Sequence, residues 1–304
     1  MPKSKSTPKT RSATKKLPKF CAPFVNPNKT ITNRRIKSCL SRPALLRLVK
    51  TWNTQTRTDT IKTTGNNEIL WNALNSRMKS ACGNGREFCW VSQKPLSTAE
   101  SANELDVFKP VMPAKWYEKP NEWLNSLDIQ AIMEQYERAY DRFRFIGPVP
   151  MDFDKKLGFG GCVVDELCNI DVVKLYKSGI RQIGIIFNLD PHDKPGSHWV
   201  ALFCCLEKCG IYYWDSYGYE SSREIKNLMA RLKANCEAKM GWKMAIELND
   251  VRHQYKGSEC GVYCLHFIIQ LLKGKSFKSI VRNVIPDDEM LEYRKELYNM
   301  MRQG

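Results

Sequence analysis

Between His198 and Cys260 the chain carries, within 63 residues, the side-chain types that thiol-based acyl transfer requires. An imidazole at His198 is followed by Trp199, a carboxylate stands 17 positions on at Asp215, and the carboxamide of Gln254 precedes Cys260-Gly261 by six. A thiol attacks a carbonyl only as thiolate, so it needs a base that can later protonate the leaving amine, and imidazole serves both directions near neutrality. The imidazole needs a partner on its second nitrogen to fix tautomer and orientation. The oxyanion needs donors, which a glutamine amide and a backbone N–H can supply.

Cys260 falls where the polar run Lys256-Gly257-Ser258-Glu259 gives way to an apolar segment, at the start of an expected helix. There the unpaired N–H groups and the positive end of the dipole favour thiolate. Cys264, one turn further in, reads as a core thiol. Of the four histidines, His192 lies in a Pro/Asp/Lys/Gly loop, His253 adjoins Gln254 and His266 falls inside the apolar helix, whereas His198 opens a strand. Asp215 ends the next strand of a hairpin and so returns toward His198. Asp190 and Asp250 also stand at strand ends.

The elements that must hold these groups follow from the pattern of apolar residues. Residues 181–188, 198–206 and 210–215 are short, β-branched or aromatic runs, with Lys208-Cys209-Gly210 as a tight connection, and 244–248 suits another strand. Gly261–Leu272 is apolar on nearly every side, the pattern of a helix buried within a domain. Trp123 to Tyr136 has helical spacing with Asn125 or Ser126 as cap. Upstream, Ser41-Arg42-Pro43 caps a helix through Trp52, a second helical pattern runs from Glu68 to Cys82, and a polar linker follows near Ser92–Asn103. The C-terminal stretch from Pro286 has acids first and bases later, suiting a surface helix. The expected organisation is a disordered basic arm (1–35), a helical N-terminal module and linker (36–115), a catalytic domain (116–285) and a C-terminal surface helix (286–304).

Of the total charge of +16, residues 1–50 hold 14 Lys/Arg and no acid, so the rest of the 304-residue chain carries only +2. A polycation at one end suits nucleic acid, where neutralised phosphates release counterions, or else a solubilising or targeting arm. The 12 cysteines are scattered and follow no hydrophobic leader, which points to reduced thiols and an unsecreted, soluble protein with no membrane span. Cys204 and Cys205 lie in an apolar run and read as buried thiols. Neither Cys82 with Cys89 nor Cys162 with Cys168 has zinc-knuckle spacing, and Gly158, Gly160 and Gly161 lack a following Gly-Lys-Ser/Thr, so neither a metal nor another cofactor is expected.

His198-Trp199, Asp215-Ser216, Gln254 and Cys260-Gly261 at the head of an apolar helix resemble the Ulp1/adenain-type cysteine peptidases, which comprise ubiquitin-like-protein proteases and maturation proteases of large DNA viruses. The resemblance covers roughly residues 115–285. It implies an α+β fold: a papain-like core with a central mixed sheet packed on a buried helix that starts at the nucleophile. It makes Cys260 nucleophile, His198 general base and acid, Asp215 orienter and Gln254 oxyanion donor. Family members also carry a Trp-Leu-Asn/Ser element, here Trp123-Leu124-Asn125. Trp123 and Trp199 would then flank a narrow tunnel selecting Gly-Gly or Gly-Xaa sites, with core packing as the alternative reading of both. The small helical module and basic tail resemble the viral core-protein proteases, implying precursor processing in the virion or in the host cytoplasm. The alternatives are a deconjugating protease for a ubiquitin-like modifier, in nucleus or cytoplasm, and a nucleic-acid-binding virion structural protein on a peptidase-like fold.

Overall fold

The structure, a computed structural model, describes residues 18–25, 38–99, 102–158 and 160–300. It divides into two compact units, up to Phe108 and from Lys109 onward. Most of the expected arm lies outside the described residues. Its stretch 18–25 is described, and there Cys21, Ala22 and Val25 are buried.

In the N-terminal unit, α1 (Arg42–Gln55) begins at Ser41, whose hydroxyl accepts the Ala44 N–H, and buries Leu45, Leu48, Val49 and Trp52. Asn66 caps α2 (Asn67–Cys82) in the same way through the Ile69 N–H, and Leu70, Trp71, Leu74 and Met78 face the core. A short α3 (Glu87–Ser92) and a 3-10 turn over Ala102–Val107 complete it, the latter starting at the end of the expected polar linker. Disulfides join Cys21 to Cys39 and Cys82 to Cys89, and a third in the other unit joins Cys162 to Cys168. The expectation of uniformly reduced cysteines is thereby corrected for six of the 12. The fold brings these pairs to Cα separations of 5.3, 5.6 and 6.3 Å, within bonding reach, a proximity that spacing alone does not reveal.

The second unit runs α4 (Lys115–Glu118), α5 (Ser126–Ala139), β1 (Phe143–Pro150), α6 (Asp165–Cys168), α7 (Val172–Lys177), β2 (Gln182–Asn188), β3 (Trp199–Cys205), β4 (Gly210–Trp214), α8 (Arg223–Met240), β5 (Ala245–Leu248), α9 (Cys260–Leu272), α10 (Phe277–Arg282) and α11 (Asp287–Leu297). Its strands form one mixed sheet in the order β1-β2-β3-β4-β5, with the outer pairs parallel and the inner pairs antiparallel.

Side chains alternate across β3, as the period of a strand requires. Trp199, Ala201, Phe203 and Cys205 join the cluster that contains α9 and Ile129, Ile132 and Met133 of α5. Val200, Leu202 and Cys204 join the opposite cluster, with Leu228, Met229 and Leu232 of α8. The sheet is therefore covered on both faces, and β3 reads as one apolar run. All residues of α9 are buried, so this helix has no solvent side and its apolar circumference is required. A capping box, in which Asn125 and Asp128 each accept the other's backbone N–H, starts α5. Although α11 has an acidic first turn, it is more than a surface helix: Met290, Arg294 and Leu297 are buried, and Met290 and Leu297 share the α9 core. No described helix is long and apolar enough to cross a membrane.

Candidate active site

Cys260 is the first residue of α9, so its N–H lies outside the helix's own hydrogen-bond ladder, which begins with Tyr263 N donating to the Glu259 carbonyl. The residue is almost wholly buried, with 2% of its surface exposed. His198 immediately precedes β3 and Asp215 immediately follows β4; the antiparallel pairing of these strands brings His198 Nε2 to 2.8 Å from Asp215 Oδ1. Cys260 lies close enough to His198 to act on its charge, and Asp215 occupies Nε2, so Nδ1 is the nitrogen without a carboxylate. Burial alone would lower the His198 pKa. The hydrogen bonds to Asp215 and Cys260 and the charges on those groups outweigh it and raise the value to about 9.

The other histidines are engaged elsewhere. His192 pairs with Asp152 at 2.7 Å in an exposed loop. His253 meets the Val281 carbonyl at 3.1 Å, and His266 packs edge-on to Tyr293. Burial lowers the pKa of both, that of His266 to about 4, so they favour the neutral form. Asp190 accepts a hydrogen bond from the Ser197 hydroxyl.

Gln254 is fully buried, and both ends of its carboxamide are held: Oε1 accepts from the Ser216 hydroxyl at 2.6 Å and Nε2 donates to the Lys256 carbonyl at 2.6 Å. The Lys256 carbonyl can only accept, so it settles which end of the amide is the donor, and it takes one of the two amide protons.

Trp199 is buried, and its indole N–H donates to the Leu124 carbonyl at 2.9 Å. Trp123, one residue before that carbonyl, is 44% exposed. A Cβ on Gly261 would stand 3.2 Å from Leu124 and 3.3 Å from Trp199 Cδ1, so the glycine after the thiol is what lets the indole lie against the head of α9. The two tryptophans thus differ in packing: Trp199 is buried against the head of α9, whereas Trp123 is half exposed.

Three supports escaped the sequence reading. The Tyr217 ring stacks on His198 at 4.8 Å, and its backbone N–H donates to Asp215 Oδ1 at 2.9 Å. Asn249 Nδ2 holds the Asp215 carbonyl at 2.7 Å. Buried Arg294 forms an ion pair at 3.2 Å with Glu259, the residue before Cys260. Position after Asp215-Ser216 was a signal for Tyr217; nothing in the sequence signalled the other two.

A thiol at a buried helix start, an imidazole between it and a carboxylate, and a sheet covered on both faces define a cysteine-type peptidase with a papain-like core. The family follows from the comparisons. Residues 182–303 match the Ulp1 protease family C-terminal catalytic domain. A putative thiol protease of Acanthamoeba polyphaga mimivirus is 34% identical over 232 residues, covering 76% of this chain and 74% of its own length. A SUMO-1 cysteine protease of African swine fever virus is 23% identical over 240 residues, covering 73% and 85%. A crystal structure of the African swine fever virus protease in selenomethionine form superposes with a TM-score of 0.65 at 21% identity, over 93% of this chain and 98% of that one, and so shares the fold. The chain belongs to the Ulp1 protease family and is a thiol protease, an enzyme that acts on protein substrates.

Proposed function

We propose that the protein is a cysteine endopeptidase that cleaves after Gly-Gly or Gly-Xaa-type sequences and processes virion structural precursors. The observation that carries the reading is the ordered set Cys260, His198 and Asp215 beneath the indole of Trp199, with Gly261 keeping the head of α9 against that indole. Cys260 is the nucleophile: its thiolate adds to the scissile carbonyl while His198 holds the proton. The resulting oxyanion accepts from Gln254 Nε2 and the Cys260 N–H. Collapse breaks the C–N bond, and the imidazolium gives its proton to the departing amine, leaving a thioester. Neutral His198 then takes a proton from water, the hydroxide adds to the thioester, and the acid product leaves as the thiol is restored. Asp215 keeps Nε2 protonated throughout. Trp123 and Trp199 flank the channel for the acyl side, where a side chain on the substrate would meet the indoles.

A second reading, removal of a ubiquitin-like modifier, is favoured by the likeness to the SUMO-1 cysteine protease of African swine fever virus. It uses the same groups and differs in what the outer surface grips. The acid-free stretch of residues 1–50 adds nucleic acid as a binding partner, and the virion or host cytoplasm is the setting in which precursor processing would occur.

The decisive assay incubates the protein and its Cys260→Ala form with Gly-Gly-Xaa peptides, a viral core polyprotein and a SUMO fusion. Cleavage of peptide and polyprotein, lost in the variant, is expected. Cleavage of the folded fusion alone would replace precursor processing with deconjugation, and cleavage of none would remove the glycine reading.

A further inference from the structure

Arg294 is an unusual residue to find inside α11, because only 2% of its surface is exposed and its charge is largely shut off from solvent. Burial lowers its pKa and Glu259 opposes that shift. Two of its nitrogens donate hydrogen bonds, and the third faces a carboxylate without bonding to it. Nη1 donates to the Pro120 carbonyl at 2.7 Å, Nη2 donates to the Glu122 carbonyl, and Nε lies 3.2 Å from Glu259 Oε2. The guanidinium also covers the Trp116 ring at 4.6 Å. One planar group therefore ties the segment leading into Trp123 to the residue that begins the nucleophile's helix.

The segment is held from both sides of Trp123. The carbonyl before it, that of Glu122, is held by Arg294, and the carbonyl after it, that of Leu124, accepts from the Trp199 indole at 2.9 Å. Asn125 then closes the capping box of α5. An indole that is 44% exposed would ordinarily sample several positions, yet here the backbone on either side is fixed. The backbone on which Trp123 stands is thus tied to the residue before the thiol by one guanidinium. Lysine could not replace it, because an ammonium is a point charge, whereas a guanidinium offers a rigid fork to two carbonyls and a carboxylate at once.

We infer that Arg294 is a positioning residue that fixes the gap between Trp123 and Cys260 and thereby sets the glycine selectivity of the acyl channel. The inference rests on the channel described under Proposed function, but the tie itself can be tested without it.

Two variants of the full chain serve. Arg294→Lys keeps a charge opposite Glu259 and loses the fork. The pair Glu259→Gln with Arg294→Met removes both charges together, so no unpaired ion is left buried, an exchange that is often tolerated. Hydrogen exchange of the backbone over 120–125 is expected to quicken at least tenfold in both variants, while exchange in β3 stays as in the parent. The ratio of kcat/KM for a Gly-Gly-Xaa peptide over the same peptide with Ala in place of the first Gly is expected to fall at least tenfold, mostly through KM for the glycine peptide. The alkaline limb of the pH profile, which belongs to His198, should stay in place. A residue that merely supports the fold would instead lower kcat for both peptides equally and leave their ratio intact. Unchanged exchange over 120–125 in folded Arg294→Lys overturns the tie; quickened exchange with an unchanged peptide ratio overturns the role in selectivity. Parent protein that cleaves neither peptide defeats the channel reading alone, and the exchange result still decides the tie.

Discussion

At His198 burial and partnership pull in opposite directions, and partnership wins. Its folded pKa of about 9 stands above the unfolded value of about 6.5. The proton is therefore held more tightly in the folded state. The stability this contributes is complete below the unfolded value and is lost as pH rises through the folded one. The same proton is the one delivered to the leaving amine, so kcat/KM is expected to fall on the alkaline side near pH 9. Asp215→Asn removes an acceptor and a negative charge, and the limb should move toward lower pH, as a pH–rate profile of the variant would reveal; a limb that stays near 9 would detach Asp215 from the imidazole. His198→Ala should reduce kcat by about 10²- to 10⁴-fold, the usual contribution of a general acid–base, in a single-turnover assay. These two residues were legible because chemistry restricts them to few residue types. Tyr217 was less so: a tyrosine whose ring stacks on His198 looks, in sequence, like any other aromatic.

Among the elements, β2, β3, β4 and α9 could be read because their apolar runs are continuous, and the strands are continuous because the centre of the sheet is covered on both faces. The edge strand β1 could not. Its sequence Phe-Arg-Phe-Ile-Gly-Pro-Val-Pro breaks the pattern of a strand, and Pro is tolerated there because an edge leaves N–H groups unpaired and the register shifts between Ile146 and Val149. α8 was missed for a different reason. Its stripe of Ile225, Leu228, Met229, Leu232 and Cys236 has helical spacing, but basic and acidic residues fill the other positions and mask it. At the head of α9 the tightest fit in the site yields a prediction. Gly261→Val places carbon where Leu124 and Trp199 already stand at 3.2 and 3.3 Å, and should cost about 1–3 kcal/mol of stability, the usual penalty for overpacking, by denaturant unfolding. Turnover should fall further than stability, since the displaced indole bounds the channel; a variant of parental activity would place the channel elsewhere.

For the molecule as a whole, cysteine chemistry and charge are both unevenly distributed. All four cysteines of the N-terminal unit are in disulfides, whereas the second unit has one disulfide and six free thiols, Cys204, Cys205, Cys209, Cys236, Cys260 and Cys264. Alkylation under denaturing conditions should mark six thiols before reduction and 12 after it, by intact mass; 12 from the start would show the pairs unbonded. Opening Cys21–Cys39 frees a loop spanning 18 positions, a loss of about 3 kcal/mol in the chain-entropy account, so reductant should lower the melting temperature of the N-terminal unit. Deleting residues 1–17, which spares the buried Cys21 and its disulfide, should weaken binding to duplex DNA and flatten its salt dependence, since fewer counterions are released. An unchanged slope would assign the charge to another purpose.

Those cross-links and the free Cys260 make opposite demands on the medium. The N-terminal unit keeps its bonds only where thiol reductants are weak, yet a nucleophilic sulfur survives only where oxidants do not carry it to sulfenic acid and beyond. The enzyme therefore works between a floor and a ceiling of electron availability, and a preparation that is fully reduced for the sake of the thiol measures a protein with its N-terminal unit unlaced.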